Sequence, residues 1–393
     1  MDDDVVIVAA KRTAVGSFRG TLSKFYASDL SAILIKDIIN NNGNISNYVS
    51  EVIIGQVLTS GQGQNPARQA VIKSGLNIET SATTINQVCA SGLKAVDYAY
   101  QSIILGYSDA IIAGGHEVMS MSPHLMLGAR DGIKMGNFTV VDSMIYDGLT
   151  DVYNQYHMGM TAENIVDKYE ITRYDQDQFA LLSQLKAQKA QINNIFADEI
   201  VPIQITNEKG EVDLFNKDEY IKNDISIDKL NKLRPVFKKN GTVTAGNSSG
   251  INDGAALVLL MKKSLAKKCG LEILARIVGT STVGVEPELM GLGPIKAIQK
   301  LMKKINWQLS EIDLIELNEA FASQSLAVIK NLNLDIDKIN VNGGAIAIGH
   351  PIGASGCRIL VSLVHEMKKR NLHKGLVTLC VGGGMGIAMA IER

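Results

Sequence analysis

Cysteine is scarce in this chain: four in 393 residues, at positions 89, 269, 357 and 380, with no CxxC pair and no zinc-ligand spacing. That excludes a disulfide framework or a zinc module, and few free thiols in a large chain suit a reducing, cytoplasmic compartment. Net charge is as scant. Thirty-nine Lys and Arg against forty Asp and Glu leave a formal −1, so no overall field draws nucleic acid or an anionic membrane. Long apolar runs are missing too. The longest stretch free of both charged residues and histidine, Gly375 to Ile391, is broken by glycine and shorter than the ~20 residues a membrane span needs. The opening MDDDVVIVAA is acidic where a signal peptide would be basic. What remains is an ordinary globular composition, 46% hydrophobic and 20% charged, long enough for two or three domains. Partners are expected to be recognised by a local site.

The chain is read as duplicated. SEVIIGQV begins at Ser50 and SEIDLIEL at Ser310; AVIK begins at Ala70 and Ala327; ASGLK begins at Ala90 and ASGCR at Ala354. Each ASG is followed by an amphipathic run and then an apolar strand ending in glycines, DAIIAGG and GLVTLCVGGG. Each half also opens on an apolar strand, DVVIVAA near residue 4 and EILARIVG near 272. Strand, helix, strand in each half predicts an α/β protein with mostly parallel strands. Between about 120 and 250 the periodicity weakens and charge rises, which reads as a solvated insertion of little regular structure, the kind of segment often used as a lid or binding loop. INDGAALVLLMKKS then returns to a core pattern. The expected division is residues 1–120 plus 251–270 as an N-terminal core domain, 121–250 as an inserted domain, and 271–393 as a C-terminal core domain.

If like halves face each other, equivalent loops meet. Cys89 directly precedes the first ASG, and His350 lies in the loop before the second, NGGAIAIGHPIGASG. A cysteine is most often a small buried hydrophobe, and Cys269 and Cys357 are read that way. Cys89 is placed at a helix N-terminus, where exposed N–H groups favour a thiolate, and His350 is a candidate base. His350 could equally be a hydrogen-bonded structural imidazole. Cys380 ends an apolar strand, which favours a core role; the glycines at 382–384 beside it could bind an oxyanion. Asn318, in LNEAFA after the strand DLIEL, reads either as a helix cap or as a site residue at a strand end. GGGMGIA at 382–388 has no following helix or ribose-binding acid, so a dinucleotide fingerprint is rejected.

NQVCASGLKAV, GGHEVMS, HMGMTAEN, GNSSGINDGAA, LNEAFA, GGAIAIGHPIGASG and CVGGGMG, in this order and spanning the chain, resemble the thiolases, in particular their biosynthetic, short-chain type. The resemblance implies a thiolase fold: two similar core domains in a five-layered α-β-α-β-α arrangement with an inserted loop domain. It implies reversible condensation of two acetyl-CoA to acetoacetyl-CoA and CoA, with CoA as substrate and product and no permanently bound cofactor or metal. It implies a homotetramer, a dimer of dimers. Carried over by motif, Cys89 is similar to the acyl-accepting nucleophile, His350 to its activating base and Cys380 to the acid/base at the acetyl methyl carbon. Asn318 would hold a water that forms one oxyanion hole with His350, and the N–H groups of Cys89 and Gly382 the other. Leu149, His157 and Met158 resemble pantetheine-tunnel positions and Ser249 a pantetheine contact. Lys222 falls where relatives carry arginine near the CoA nucleotide, a change that keeps charge but loses the planar fork.

Other readings are a degradative 3-ketoacyl-CoA thiolase of broader chain length, a ketoacyl synthase acting on carrier-protein substrates, a non-catalytic acyl-CoA or lipid-binding relative, and a redox dithiol. A synthase would carry His or Asn at the Cys380 position, a binding relative would lack the nucleophile, and a dithiol lacks its motif.

Overall fold

The apolar runs become the strands of one long mixed sheet. The computed structural model describes residues 4–206 and 210–393; the acidic residues 1–3 and the charged residues 207–209 lie outside it. The first half runs β1 (Val5–Arg12), α1 (Ala27–Asn41), β2 (Val49–Gly55), α2 (Pro66–Ser74), β3 (Ser81–Ile85), α3 (Ser91–Ile104) and β4 (Ala110–Val118). After an excursion containing α4 (Met158–Tyr169) and α5 (Arg173–Ile192), β5 (Asn252–Lys262) returns to the sheet. The second half runs β6 (Ala275–Gly284), α6 (Gly293–Ile305), β7 (Leu314–Leu317), α7 (Ala322–Leu332), α8 (Ser355–Arg370), β8 (Lys374–Val381) and β9 (Met385–Glu392).

The strand order is β7-β8-β9-β6-β1-β5-β4-β2-β3. Across the middle, β6 and β1 share only two residue pairs, Val6–Arg276 and Ile7–Ala275, so the path divides into two like sheets. In one, β4 pairs parallel with β2 and antiparallel with β5; in the other, β8 pairs parallel with β7 and antiparallel with β9. The expectation of mostly parallel strands is therefore corrected: each half is mixed. The reason is local at β8–β9, where Gly383 and Gly384 at φ 82° and 83° turn the chain back on itself. So short a turn can only join antiparallel neighbours.

Burial sorts the helices into layers. α8 buries twelve of its sixteen residues, as a helix enclosed on all sides must. α6 buries only one stripe, including Ala297, Ile298, Leu301 and Met302. One apolar cluster joins α3 and α8 to residues from both sheets, among them Val258 and Ile387. A second lies between the first sheet and α1 and α2, and a third packs α6 and α7 on the second sheet. The layers thus alternate α-β-α-β-α, with α3 and α8 in the centre.

The two ASG glycines let those central helices abut. A Cβ on Gly92 would stand 2.8 Å from the Gly353 carbonyl oxygen, and one on Gly356 would stand 2.7 Å from the Leu93 nitrogen. Larger residues would wedge the helix starts apart, and with them the loops bearing Cys89 and His350. The insertion also departs from expectation. It holds a 12-residue and a 20-residue helix. The weak periodicity of α5 has a physical cause: it buries Gln176, Asp177, Ser183 and Gln184 along with its apolar residues. Asp177, for example, accepts from Asn247 Nδ2 at 2.9 Å.

Candidate active site

The backbone presents Cys89 under strain. Val88, just before it, has φ +46°, a region a β-branched residue rarely enters. Several hydrogen bonds hold it there: Val88 N–H donates to Asn86 Oδ1 at 2.8 Å, while Ser91 N–H (3.0 Å) and Ser91 Oγ (2.6 Å) donate to the Val88 carbonyl. Ser91 Oγ also accepts from Gln87 N–H at 2.8 Å. Strain so over-determined is a mark of a functional loop.

The equivalent serine of the second ASG orients His350. Ser355 Oγ donates its one proton to the Pro351 carbonyl at 2.9 Å and stands 2.6 Å from His350 Nδ1. It can therefore only accept from that nitrogen. With the hydroxyl proton on the Pro351 carbonyl, the imidazole takes the Nδ1–H tautomer and turns its Nε2 lone pair to the site. Asn318 Nδ2 lies 3.5 Å from Nε2, and Asn318 Oδ1 is buried without a protein partner. Burial, with the positive charge of Arg358 adding to it, holds His350 down to about 3. It is neutral at physiological pH and free to accept a proton.

The helix-start N–H groups do not make Cys89 a thiolate at rest. Burial pushes its thiol up to about 11, and the Glu117 carboxylate adds to the rise; the N–H groups of Gly382 and of Cys89 itself pull the other way. Desolvation outweighs the helix-start effect, so Cys89 is a thiol at rest and needs a base at the moment of attack. Burial likewise drives the Cys380 thiol well above the ordinary cysteine range, with Cys89 nearby adding to it. Cys357 is buried as anticipated, whereas Cys269 is half-exposed.

Cys89, Cys380, His350 and Gly382 line one cavity of about 530 Å³. Leu149, His157, Met158, Ser249 and Lys222 line it too. Asn318 does not reach its wall and meets it through His350. His157 caps α4, its Nδ1 accepting from Gly159 N–H at 3.0 Å, and its ring stacks on Phe237 at 4.7 Å between centroids. Phe237 in turn meets Phe321 edge-on. Cys380 packs in the same apolar cluster as Met158, Met290 and Phe321. At the exposed rim, Lys222 Nζ sits 4.3 Å over the Tyr220 ring, beside Phe18. Among the described residues, no three His, Cys, Asp or Glu side chains gather as a metal site.

Sequence reasoning missed Asn252, and it singled out Glu319 only as the polar neighbour of Asn318 at a strand end, without the role of holding this arrangement. Buried Asn252 accepts from His350 N–H at 3.0 Å and donates to the Gly16 carbonyl at 2.9 Å. Buried Glu319 accepts from Ser183 Oγ, Asn340 Nδ2 and Ile346 N–H, beneath the loop leading to His350. Both lie within quoted motifs, yet nothing in a linear pattern says which distant segment a buried polar side chain will tie.

Two like halves that bring two cysteines and a histidine to one apolar cavity define the thiolase class, and the chain belongs to the thiolase family. The profile of the thiolase N-terminal domain matches residues 5–264 and that of the C-terminal domain residues 271–393. The chain is 58% identical to an acetyl-CoA acetyltransferase of Chromobacterium violaceum, over 99% of this chain and all of that protein. It is 54% identical to one of Cupriavidus necator, over 99% of each. The crystal structure of the Bacillus anthracis acetyl-CoA acetyltransferase superposes with a TM-score of 0.97 at 44% identity, covering 100% of this chain and 99% of that one. Human mitochondrial 3-ketoacyl-CoA thiolase superposes at 0.96 with 41% identity and the same coverage.

Proposed function

We propose that the chain is an acetyl-CoA C-acetyltransferase that interconverts two acetyl-CoA with acetoacetyl-CoA and CoA through an acetyl-Cys89 intermediate. The observation that carries this reading is the convergence of Cys89, Cys380 and the His350 loop on one cavity, with the Gly382 N–H aimed at the Cys89 sulfur. The relatives carrying the acetyl-CoA acetyltransferase name at 58% and 54% identity support the substrate.

In the synthetic direction, His350 Nε2 takes the Cys89 proton as the sulfur attacks the acetyl carbonyl. The Gly382 and Cys89 N–H groups stabilise the developing oxyanion, a contribution of about 3–4 kcal/mol per donor. The C–S bond to CoA breaks, and CoA leaves with the proton of Cys380. Cys380 is now a thiolate, and His350 an imidazolium. A second acetyl-CoA enters, Cys380 removes a methyl proton, and the enolate oxygen faces His350 and a water held by Asn318. The carbanion attacks acetyl-Cys89, the bond to Cys89 breaks, and the Cys89 sulfur recovers its proton from His350. Cys380, reprotonated by the methyl group, is ready again. Two thiols that are protonated at rest suit this order, since one must give a proton before it can take one.

Leu149, His157 and Met158 wall the pantetheine channel in this reading, Ser249 contacts pantetheine, and Lys222 at the rim faces the nucleotide. We divide the chain into core domains 1–120 plus 251–270 and 271–393, with 121–250 as a loop domain that binds CoA and joins copies. Exposed Leu127, Met135 and Phe138 on that segment support a contact between copies, and we take the working form to be a cytoplasmic homotetramer. No helix among the described residues is long and apolar enough to cross a membrane.

Peptide mapping after acetyl-CoA treatment tests the intermediate: acetyl on Cys89, absent in Cys89→Ala, is expected, and acetyl on another residue refutes the assignment. Cys380→Ser is expected to acetylate but condense poorly. Thiolysis of acetoacetyl-CoA beside a C8 3-ketoacyl-CoA tests the subtype; preference for the longer chain would make it a degradative thiolase.

A further inference from the structure

The pseudo-twofold gives Cys380 a counterpart. On β8, Cys380 pairs across to Gly386 of β9, next to the pair Val381–Met385. On β4, Glu117 pairs across to Gly254 of β5, next to the pair Val118–Asp253. The two residues thus hold the same place in the two sheets. Their targets match as well. Cys89 and Gly353 each precede an Ala-Ser-Gly helix start. Cys380 shares its cavity with Cys89, and Glu117 Oε2 accepts from the Gly353 N–H at 3.0 Å.

Glu117 is fully buried and binds more than Gly353. Its Oε2 accepts from Val57 N–H at 2.9 Å and its Oε1 from Leu58 N–H at 3.1 Å. These donors flank the nucleophile: Val57, Leu58 and Ile352 form one apolar cluster against which Cys89 packs. Three residues along from His350, Gly353 belongs to the turn that places the imidazole. One carboxylate therefore ties the segment after β2 in the first half to the base-bearing loop of the second, with Cys89 between them. Burial, with the charge of Asp253 adding to it, raises Glu117 to about 7, and the N–H groups of Val57, Leu58 and Gly353 pull the other way; once ionised it offers acceptors at both oxygens for all three donors, whereas an amide would turn its NH₂ on one of them. Nothing else in the mechanism uses this group.

We propose that Glu117 is a positioning residue of the thiolase reaction, a strut that fixes His350 relative to Cys89. When ionised, its charge adds to the burial that raises the Cys89 thiol. The proposal rests on the reading of Cys89 as nucleophile and His350 as base. Two variants of the full-length enzyme separate reach from charge. Glu117→Gln keeps the length but removes the charge; Glu117→Asp keeps the charge but falls a methylene short of the two segments. Both are expected to lower kcat about tenfold or more while leaving the KM for CoA within about twofold. Alkylation of Cys89 by iodoacetamide against pH supplies a readout that a merely structural role would not move. The groups facing Cys89 are His350, Cys380 and Glu117, and Asp253 on β5 faces Glu117. The rise of the alkylation rate moves to lower pH in Glu117→Gln and stays in place in Glu117→Asp.

Wild-type kcat in both variants, a loss confined to the KM for CoA, or an unshifted profile in Glu117→Gln overturns the proposal. Should Glu117→Gln not fold, the kcat and KM of Glu117→Asp decide it. Acetyl found away from Cys89 in the wild-type enzyme would instead overturn the underlying reading, and that map is made without any variant.

Discussion

Replacing Ser355 with alanine isolates the tautomer of the base. The hydroxyl accepts from His350 Nδ1 at 2.6 Å and donates to the Pro351 carbonyl at 2.9 Å, and it is fully buried. Without it, the imidazole has two choices. It can keep the proton on Nδ1 and leave a buried donor unsatisfied, at about 1–3 kcal/mol. Or it can move the proton to Nε2, where Asn318, after rotating its amide, offers the Oδ1 that lacks a protein partner. The second choice removes the lone pair that Cys89 needs. Either way the productive tautomer loses about 1–3 kcal/mol, a roughly 5- to 150-fold lower rate of Cys89 acetylation. The KM for acetyl-CoA should move little, because Ser355 does not line the cavity. The assay is the burst of CoA released on rapid mixing with acetyl-CoA, before the second substrate acts. A burst rate within twofold of wild type, in a variant of wild-type melting temperature, would refute the tautomer assignment and the base role built on it.

Further expectations follow from the same geometry. Because burial pushes the Cys89 thiol up to about 11, its alkylation rate in the free enzyme should climb steadily beyond the ~8.5 of an ordinary thiol; a plateau below that pH contradicts the burial argument. Gly356→Ala puts a Cβ 2.7 Å from the Leu93 nitrogen, so it should cost about 1–3 kcal/mol in stability and lower kcat more than it raises KM; an unchanged melting temperature and kcat would show that the helix starts are not in tight contact. Burial raises Glu316 to about 8, against the opposing charge of Arg358, above the ~4.3 of an unfolded glutamate. The native state then holds a proton the unfolded chain gives up. The resulting stability is present in full below about pH 4.3 and lost as pH rises through about 8. The melting temperature of wild type should therefore fall relative to Glu316→Gln across that range, and a constant gap would falsify the shift.

What could be read from the sequence follows the range of the interactions concerned. The duplication was legible because each repeated segment is a local unit, and SEVIIGQV and SEIDLIEL both led to the parallel strands β2 and β7. The pairing of the Cys89 and His350 loops followed from two ASG triplets whose glycines are needed where α3 and α8 touch. Strand direction was not legible. In the first half, β4 and its antiparallel neighbour β5 are separated by the whole insertion, and local composition says nothing of which way a strand returns. The helices of the insertion were hidden because α5 buries amides and a carboxylate where a periodic pattern would show Leu or Ile.

The extent of desolvation at the nucleophile is hidden in sequence for a related reason. A helix start is visible in sequence and favours a thiolate, whereas the desolvation that outweighs it at Cys89 comes from Val57, Leu58, Met119 and Ile352, four residues from three separate segments. The same holds for the polar supports. Glu117 joins positions 57 and 353, and Asn252 joins positions 16 and 350. Each spans both halves of the duplication or the insertion between core segments. The reacting groups sit in motifs that a repeat can expose, but the groups that hold them act between the repeats. A duplicated enzyme of this kind keeps its chemistry legible and its precision hidden, because symmetry places the loops while asymmetric buried contacts, a carboxylate in one half where the other has a thiol, set them to the accuracy that catalysis requires.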